Sequence, residues 1–335
     1  MDIDCEIIDY RSQFMEMQYY AIINPNVSLI KNFLKLYNYP SKHRKILQYK
    51  KFIAKNMILS NQIYSDENLR DADSEYDYIF VGSDQVWNPS IIGDSYIYFL
   101  DGIVPDKKKI SYAASMGAAC FDEKIMNKCI DLIRRFSVIS VREKSLSNIL
   151  TNHGIQNHTD IDPTLLLTSE CWNSIIPKER MEKKPYILVY TVAEPINLYE
   201  YAKRLASLRG LEIIWITNSR RLRFDAKVIR DCGIEDFLQY IRDAEYVITT
   251  SFHCCVFSIL FHKNLITETV GRNSVNNRIE DLLNSVEMTN RSISFNQDIM
   301  NSETDWDKTD LLLDALRNKS KKHIVNSIGG CWFND

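Results

Sequence analysis

The sequence predicts an α/β protein built as two doubly wound, Rossmann-like units that face a cleft. Short β-rich runs alternate with helix-period segments, the alternation restarts after a break near 168–185, and polar residues gather where the strands end. In chain order, Tyr78–Val81 (YIFV) reads as a buried strand ending in Gly82, and Ile110–Ala114 (ISYAA) as another ending near Gly117. Asp122–Arg135 has helical period, with Ile125, Cys129, Leu132, Ile133 and Phe136 on one side. Ser137–Val141 is strand-like again, and Lys144–Asn152 is a short helix closed by Gly154. Beyond Lys183, Lys184 and Pro185 comes a second series: strand Tyr186–Val192, helix 197–209, strand Glu212–Thr217, helix 235–243, strand Tyr246–Thr249, helix 253–262 and strand Leu265–Glu268. Helices Arg278–Ser285 and Asp307–Ile324 complete it. The expected organisation is an N-terminal α/β domain over 1–168, a C-terminal one over 186–310, and a C-terminal helix and tail over 311–335. Ligands of such sheets bind beyond the carboxyl ends of the strands.

Composition narrows the function classes. A formal net charge of −3 gives no electrostatic basis for nucleic-acid binding. The eight cysteines form no CxxC and no zinc-ligand spacing, so no metal site is expected. The N-terminal run MDIDCEIIDYRSQF is acidic and has no apolar core of an export signal, and reduced cysteines in a cytoplasmic protein are expected. The most apolar window, Tyr246–Phe261, is interrupted by threonines, serines and His253, and falls short of the roughly 20 apolar residues that span a bilayer. Residues 28–59 stand apart, with seven lysines and one arginine against no acidic residue. Such a stretch suits a peripheral contact with an anionic membrane face or a diphosphate; a solvated helical face is the plainer reading.

Four clusters fall at strand ends. In VGSDQVWNP (Val81–Pro89), Gly82 permits a tight exit while Ser83, Asp84, Gln85 and Asn88 present polar side chains; a capped turn over a buried Trp87 is the alternative. In SVREK (Ser140–Lys144), Arg142 offers a planar fork for carboxylate or phosphate, unless it forms a salt bridge with Glu143 or Asp160. In TTSFHCC (Thr249–Cys255), a strand gives way to a helix, which sets His253 and the first helical amides where an anion is favoured. Histidine suits proton transfer near neutral pH, although a satisfied core histidine is the common alternative. In VGRNSVNNRIEDLL (Val270–Leu283), Arg272 and Arg278 supply positive charge, or else sit on a loop and an exposed helical turn. Together these clusters describe an anion-binding cleft, and no phosphate loop, metal box or nucleophile elbow selects a reaction.

The runs YDYIFVGSDQVWNP, ISYAASMG, SVREKSL, DIDPTLLL, the TSFH turn and NRIEDLL, in this order over roughly 75–290, resemble the polysaccharide pyruvyl transferase family. The resemblance implies a two-domain fold like that of GT-B glycosyltransferases, phosphoenolpyruvate as donor and a hexose hydroxyl pair as acceptor, yielding a cyclic pyruvate ketal. Its members generally serve bacterial surface polysaccharides such as capsule and exopolysaccharide, often on lipid-linked oligosaccharide precursors. By motif match, His253 and Arg142 correspond to residues of the catalytic site. The candidate donor-binding residues are Ser251, Arg272 and Arg278, and the candidate acceptor or cleft residues are Gly82, Ser83, Asp84, Gln85, Asn88, Ser115 and Asp162. Ketal formation protonates the methylene carbon, adds a hydroxyl, expels phosphate and closes the ring with a second hydroxyl; this route requires no metal or cofactor.

Two features depart from the family pattern. Some members carry Arg-x-His at the third cluster, where this chain has Ser251-Phe252-His253, so additional positive charge is expected from Arg272. Members usually also begin with a strand, a polar loop and a helix ahead of a segment like CEIIDYR, which here starts at Cys5. The first βα unit is therefore expected to be missing from this sequence, either because the true start lies upstream or because the N-terminal domain is shortened, which would expose a sheet edge. A GT-B nucleotide-sugar glycosyltransferase and a catalytically degenerate glycan- or partner-binding paralogue are the competing readings.

Overall fold

In the N-terminal half short parallel strands carry the site loops. The computed structural model describes residues 3–12, 39–92, 96–117, 121–217, 219, 225–269, 275–294, 299 and 302–329. β1 (Ile7–Tyr10) pairs in parallel with β2 (Leu59–Tyr64). Neither strand is announced by the sequence pattern, because Asn61 and Gln62 interrupt the apolar run. β3 (Ile79–Val81), β4 (Lys109–Ser111), β5 (Ser140–Val141) and β6 (His158–Thr159) lie side by side; the pairs β3–β4 and β5–β6 are joined by bridges Ile110–Val138 and Ala114–Val141. The predicted strands 110–114 and 137–141 shorten to these cores, since the backbone leaves regular pairing at Ala113, where φ is 45°.

Helix α1 (Tyr39–Asn56) lies within the basic stretch, while α2 (Glu123–Ile133) and α3 (Lys144–Asn152) match the predicted helices closely. On α2 the buried residues are Cys129, Ile130 and Ile133, and Ile125 is exposed, so the apolar face is rotated from the predicted one. The core of this half gathers on Trp87, which stacks on Phe99 at 5.7 Å and meets Phe136 edge-on at 5.4 Å.

The C-terminal half holds one five-stranded, all-parallel sheet. Its strands are β7 (Tyr186–Tyr190), β8 (Glu212–Ile216), β9 (Lys227–Ile229), β10 (Tyr246–Thr249) and β11 (Asn264–Thr267), in the order β11–β10–β7–β8–β9. Apolar side chains leave both faces: Leu188, Ile214 and Val247 on one, Ile187, Val189, Trp215 and Ile248 on the other. That is the signature of a parallel sheet covered on both sides. The chain winds outwards in both directions from β7, so the topological switch point lies between β7 and β10, where such sheets bind ligands.

The helices here are α4 (Ser169–Ile175), α5 (Leu198–Arg209), α6 (Ile234–Asp243), α7 (Phe252–Leu260), α8 (Val275–Ser285) and α9 (Trp306–Gly329). α4 falls inside the predicted break, where Thr168 caps it by accepting from the Cys171 amide.

Helices from each end of the chain tie the halves together. From α9, Arg317 Nε donates to Leu165 O at 2.8 Å, and Ser320 Oγ and His323 Nδ1 each lie 2.8 Å from Asp160 Oδ1. α1 lies against the start of α6, where Arg44 meets Asp231 at 2.6 Å, Gln48 meets Asp236 at 2.7 Å and Lys55 meets Glu235 at 3.1 Å. Part of the predicted basic stretch therefore faces an acidic edge of the same chain, and its residues 28–38 lie outside the described residues. Among the described residues no helix is long and apolar enough to cross a membrane.

Candidate active site

Parallel strands deliver their following residues to one end of a sheet, and both halves turn that end to the same place. Ser83 and Asp84 follow β3, Ser115 follows β4, Arg142 follows β5, Asp162 follows β6, and Ser251 and His253 follow β10. Arg278 arrives from α8.

The centre of the cluster is Arg142, whose side chain is only 4% exposed. Its Nη1 donates to Asp162 Oδ2 at 2.7 Å, and its Nη2 lies 3.4 Å from Asp84 Oδ1. The same Asp84 oxygen is 3.8 Å from Arg278 Nη1, so one carboxylate faces guanidinium groups from both halves. Asp162 also accepts from Ser83 Oγ at 3.3 Å, and His253 Nε2 stands 3.8 Å from its Oδ2. Burial alone pushes the Asp162 carboxyl up; the Arg142 guanidinium, His253 and the bonds from Thr164 outweigh it and leave the group below the usual carboxylate range. Burial, and then Arg142, push the Arg278 guanidinium down.

Hydrogen bonding of the two guanidinium groups is incomplete. Among the described residues, Nε of Arg142 and Nε of Arg278 are both buried without a hydrogen-bond partner. Guanidinium is acceptor-seeking in a planar fork, and an unsatisfied buried donor is costly, so the pair is built for a further anion. Phe252 forms the wall: its ring centroid lies 4.8 Å from Arg142 Cζ and 5.8 Å from Arg278 Cζ, and it meets His253 edge-on at 5.4 Å.

Other predicted site residues serve the frame. Ser251 caps α7 by accepting from the Cys254 amide at 3.4 Å, which fixes His253 in the first helical turn. Asn88 is buried and donates to Gln85 Oε1 at 2.6 Å, so both are engaged within their own loop, in line with the capped-turn reading. Ser115 is fully buried and its hydroxyl donates to Glu143. Asp160, weighed as a partner of Arg142, accepts instead from Ser140 and Ser320 and faces His323. Arg272 lies outside the described residues. Burial pushes the thiols of Cys254 and Cys255 up, which removes them as nucleophiles. Among the described residues no group of three or more His, Cys, Asp or Glu side chains is placed to hold a metal ion.

Gly82 shapes the first loop. Its φ is +125°, and a Cβ there would stand 2.1 Å from the carbonyl oxygen of Tyr112. Gly82→Ala is expected to destabilise the chain by about 3 kcal/mol, through left-handed strain and overpacking against backbone, and to displace Ser83 and Asp84. Denaturant unfolding of the variant checks this.

Two residues escaped sequence reading. Phe252 has no role in the sequence reading and Glu143 enters it only as an alternative salt-bridge partner of Arg142, whereas both are buried beside Arg142. At the neighbouring helix terminus Glu268 accepts from the amides of Ile196 and Asn197 at 2.9 and 3.0 Å and approaches that of Leu198 at 3.3 Å. The N-terminus of α5 thus already holds an anion, and a nucleotide diphosphate would have to displace it.

The family model for polysaccharide pyruvyl transferase matches residues 1–268. No curated protein matches the chain. Among solved structures, UDP-N-acetylglucosamine 2-epimerase from Rickettsia bellii is similar at 12% identity, with 87% of each chain covered and a TM-score of 0.51, a likeness of fold. The UDP-GlcNAc 2-epimerase of Methanocaldococcus jannaschii, solved with UDP-GlcNAc and UDP, shows 14% identity and a TM-score of 0.46, covering 86% of this chain and 96% of its own. A putative UDP-N-acetylglucosamine 2-epimerase from Listeria monocytogenes shows 12% identity and a TM-score of 0.46, covering 95% of this chain and 87% of its own. The fold is GT-B-like, with parallel sheets and flanking helices.

Proposed function

The chain belongs to the polysaccharide pyruvyl transferase family, and we propose that it moves the pyruvyl group of phosphoenolpyruvate onto two hydroxyls of a hexose, forming a cyclic ketal and releasing phosphate. One observation carries the donor assignment: two nearly fully buried guanidinium groups, one from each half, share an aromatic wall and each keep a free Nε. Phosphoenolpyruvate carries a carboxylate and a phosphate on a flat three-carbon frame, which suits two planar forks beside an aromatic ring.

His253 stands where a hydroxyl proton would be taken, with Asp162 behind it to stabilise the charge the ring gains. The acceptor is a sugar of a polysaccharide precursor, and the route asks for no resident cofactor. Contact with an anionic membrane face through 28–59 would bring a lipid-linked acceptor to the cleft.

Titration of the chain with phosphoenolpyruvate, and in parallel with UDP-N-acetylglucosamine, tests the reading. Saturable binding of the first and none of the second is expected. Binding of the nucleotide sugar with no response to phosphoenolpyruvate would overturn it.

A further inference from the structure

A third polar side chain is buried with the two arginines, and the hydroxyl-accepting role of His253 leaves it without a task. Glu143 has a side chain 4% exposed, with Oε1 accepting from Ser115 Oγ and lying 3.9 Å from Arg142 Nη2. Its Oε2 is buried and has no hydrogen-bond partner among the described residues. Ser115 is itself held, because its Oγ accepts from the Gly117 amide at 3.0 Å. Glu143 Oε2, Arg142 Nε and Arg278 Nε are three buried polar atoms without a partner among the described residues, on side chains that interact: Glu143 Oε1 lies 3.9 Å from Arg142 Nη2, and the Arg278 charge acts on the Glu143 carboxyl. The arginines answer to an anion. A carboxylate would repel that anion, whereas a carboxylic acid would offer it a proton.

Resting on the pyruvyl-transfer reading, we propose that Glu143 is the acid that protonates the methylene carbon of phosphoenolpyruvate. The Oε2–H bond breaks and its proton bonds to the methylene carbon, which uses the π electrons of the enol double bond and becomes a methyl group. The adjacent carbon, left electron-poor, takes the first sugar oxygen. That hydroxyl proton passes to His253, which returns it to the departing phosphate as the C–O bond breaks. The second sugar oxygen closes the ketal, and its proton restores Glu143. The products are ketal and hydrogen phosphate, with both hydroxyl protons accounted for.

Surroundings agree with an acid at rest. Burial drives the Glu143 carboxyl up, and the opposing pull of Arg142, Ser115 and Arg278 does not cancel it. The charged groups around it are Arg142, Arg278 and Lys144, with Asp84, Asp162 and Asp281 as carboxylates and His253 across the cleft. A raised folded-state value means stability is lost as pH climbs through it, so Glu143→Gln is expected to fold at least as well as wild type at pH 8.

The test compares phosphoenolpyruvate affinity of wild type and Glu143→Gln across pH 5 to 9. The two are expected to bind alike in acid, and the glutamine variant about tenfold tighter in alkali, where wild type carries a like charge beside the ligand. Phosphate release with methyl β-galactoside as the diol is expected to fall about 100-fold or more in Glu143→Gln and to recover in part in Glu143→Asp. An affinity ratio that is flat with pH, or a Glu143→Gln variant that turns over within threefold of wild type, overturns the assignment to Glu143 and leaves the donor reading standing. A wild-type chain that does not bind phosphoenolpyruvate at any pH overturns the donor reading itself.

Discussion

Arg142→Met is expected to lose about 3–5 kcal/mol of stability at pH 7, because it strips a buried carboxylate of its partner. Asp162 has a side chain 2% exposed, and its short contact with the guanidinium is 2.7 Å. Without that contact it keeps Ser83 at 3.3 Å, His253 at 3.8 Å and the Thr164 bonds at 2.6 and 3.1 Å. The sign of the pH dependence follows. In wild type the folded-state value of Asp162 is depressed, so its stability is present above the ordinary carboxylate value and lost as pH falls through the folded one. In the variant burial prevails and the value rises, so protonation relieves the orphaned group. The stability gap between wild type and Arg142→Met should therefore narrow from pH 7 to pH 4, as read by denaturant unfolding at both. Phosphoenolpyruvate affinity should fall at least about tenfold, since a charged hydrogen bond is worth roughly 1.5–3 kcal/mol. Arg142→Lys should recover little, because a point charge cannot face Asp162, Asp84 and a ligand in one plane. Equal stability of wild type and Arg142→Met at pH 7 would remove Arg142 from the centre of the site.

Asp84, Arg142 and His253 were expected together because a parallel sheet obliges residues after strands to converge, and that rule needs only the strand ends; Asp162 came only from the DIDPTLLL resemblance, since the two-residue strand before it shows no pattern. Arg278 followed from its position at the opening of a helix in a polar loop. What failed to read was long-range. Glu143 looks solvent-exposed beside Arg142 and Lys144, and only the arrival of Ser115 from β4 and Arg278 from α8 shows it to be enclosed. Asp160 and Asp162 stand two apart on one segment, and the sequence offered no reason to give Arg142 the second; α9 claims the first through Ser320 and His323.

Within the fold, helices α3 and α5 read well because their apolar spacing carries through whole turns. β9, at three residues, is too short to show a period, and β2 is polar in its middle. The pairing of α1 with α6 rests on charges 187 residues apart, Arg44 and Asp231, which no local pattern reveals.

His253→Ala is expected to cut turnover by about 10²–10⁴-fold, the usual worth of a positioned proton-transfer group, while leaving stability and phosphoenolpyruvate affinity close to wild type. The argument for that separation is positional. The ring is 39% exposed, its contact with Asp162 is long at 3.8 Å, and Asp162 keeps its short bond to Arg142 when the ring is removed. Helix α7 does not depend on it either, since Ser251 provides the cap and Phe252 the burial. What the ring alone supplies is a nitrogen facing the cleft with a carboxylate behind it. That geometry can take a hydroxyl proton and stabilise the resulting charge. Loss of turnover with intact donor binding thus separates His253 from Arg142, whose removal should damage both. Phosphate release within threefold of wild type in His253→Ala would transfer the proton-accepting role to another group. An exposed carboxylate of the same cluster is Asp84, with a side chain 61% exposed, and the double variant with Asp84→Asn would then decide whether it acts in place of the imidazole.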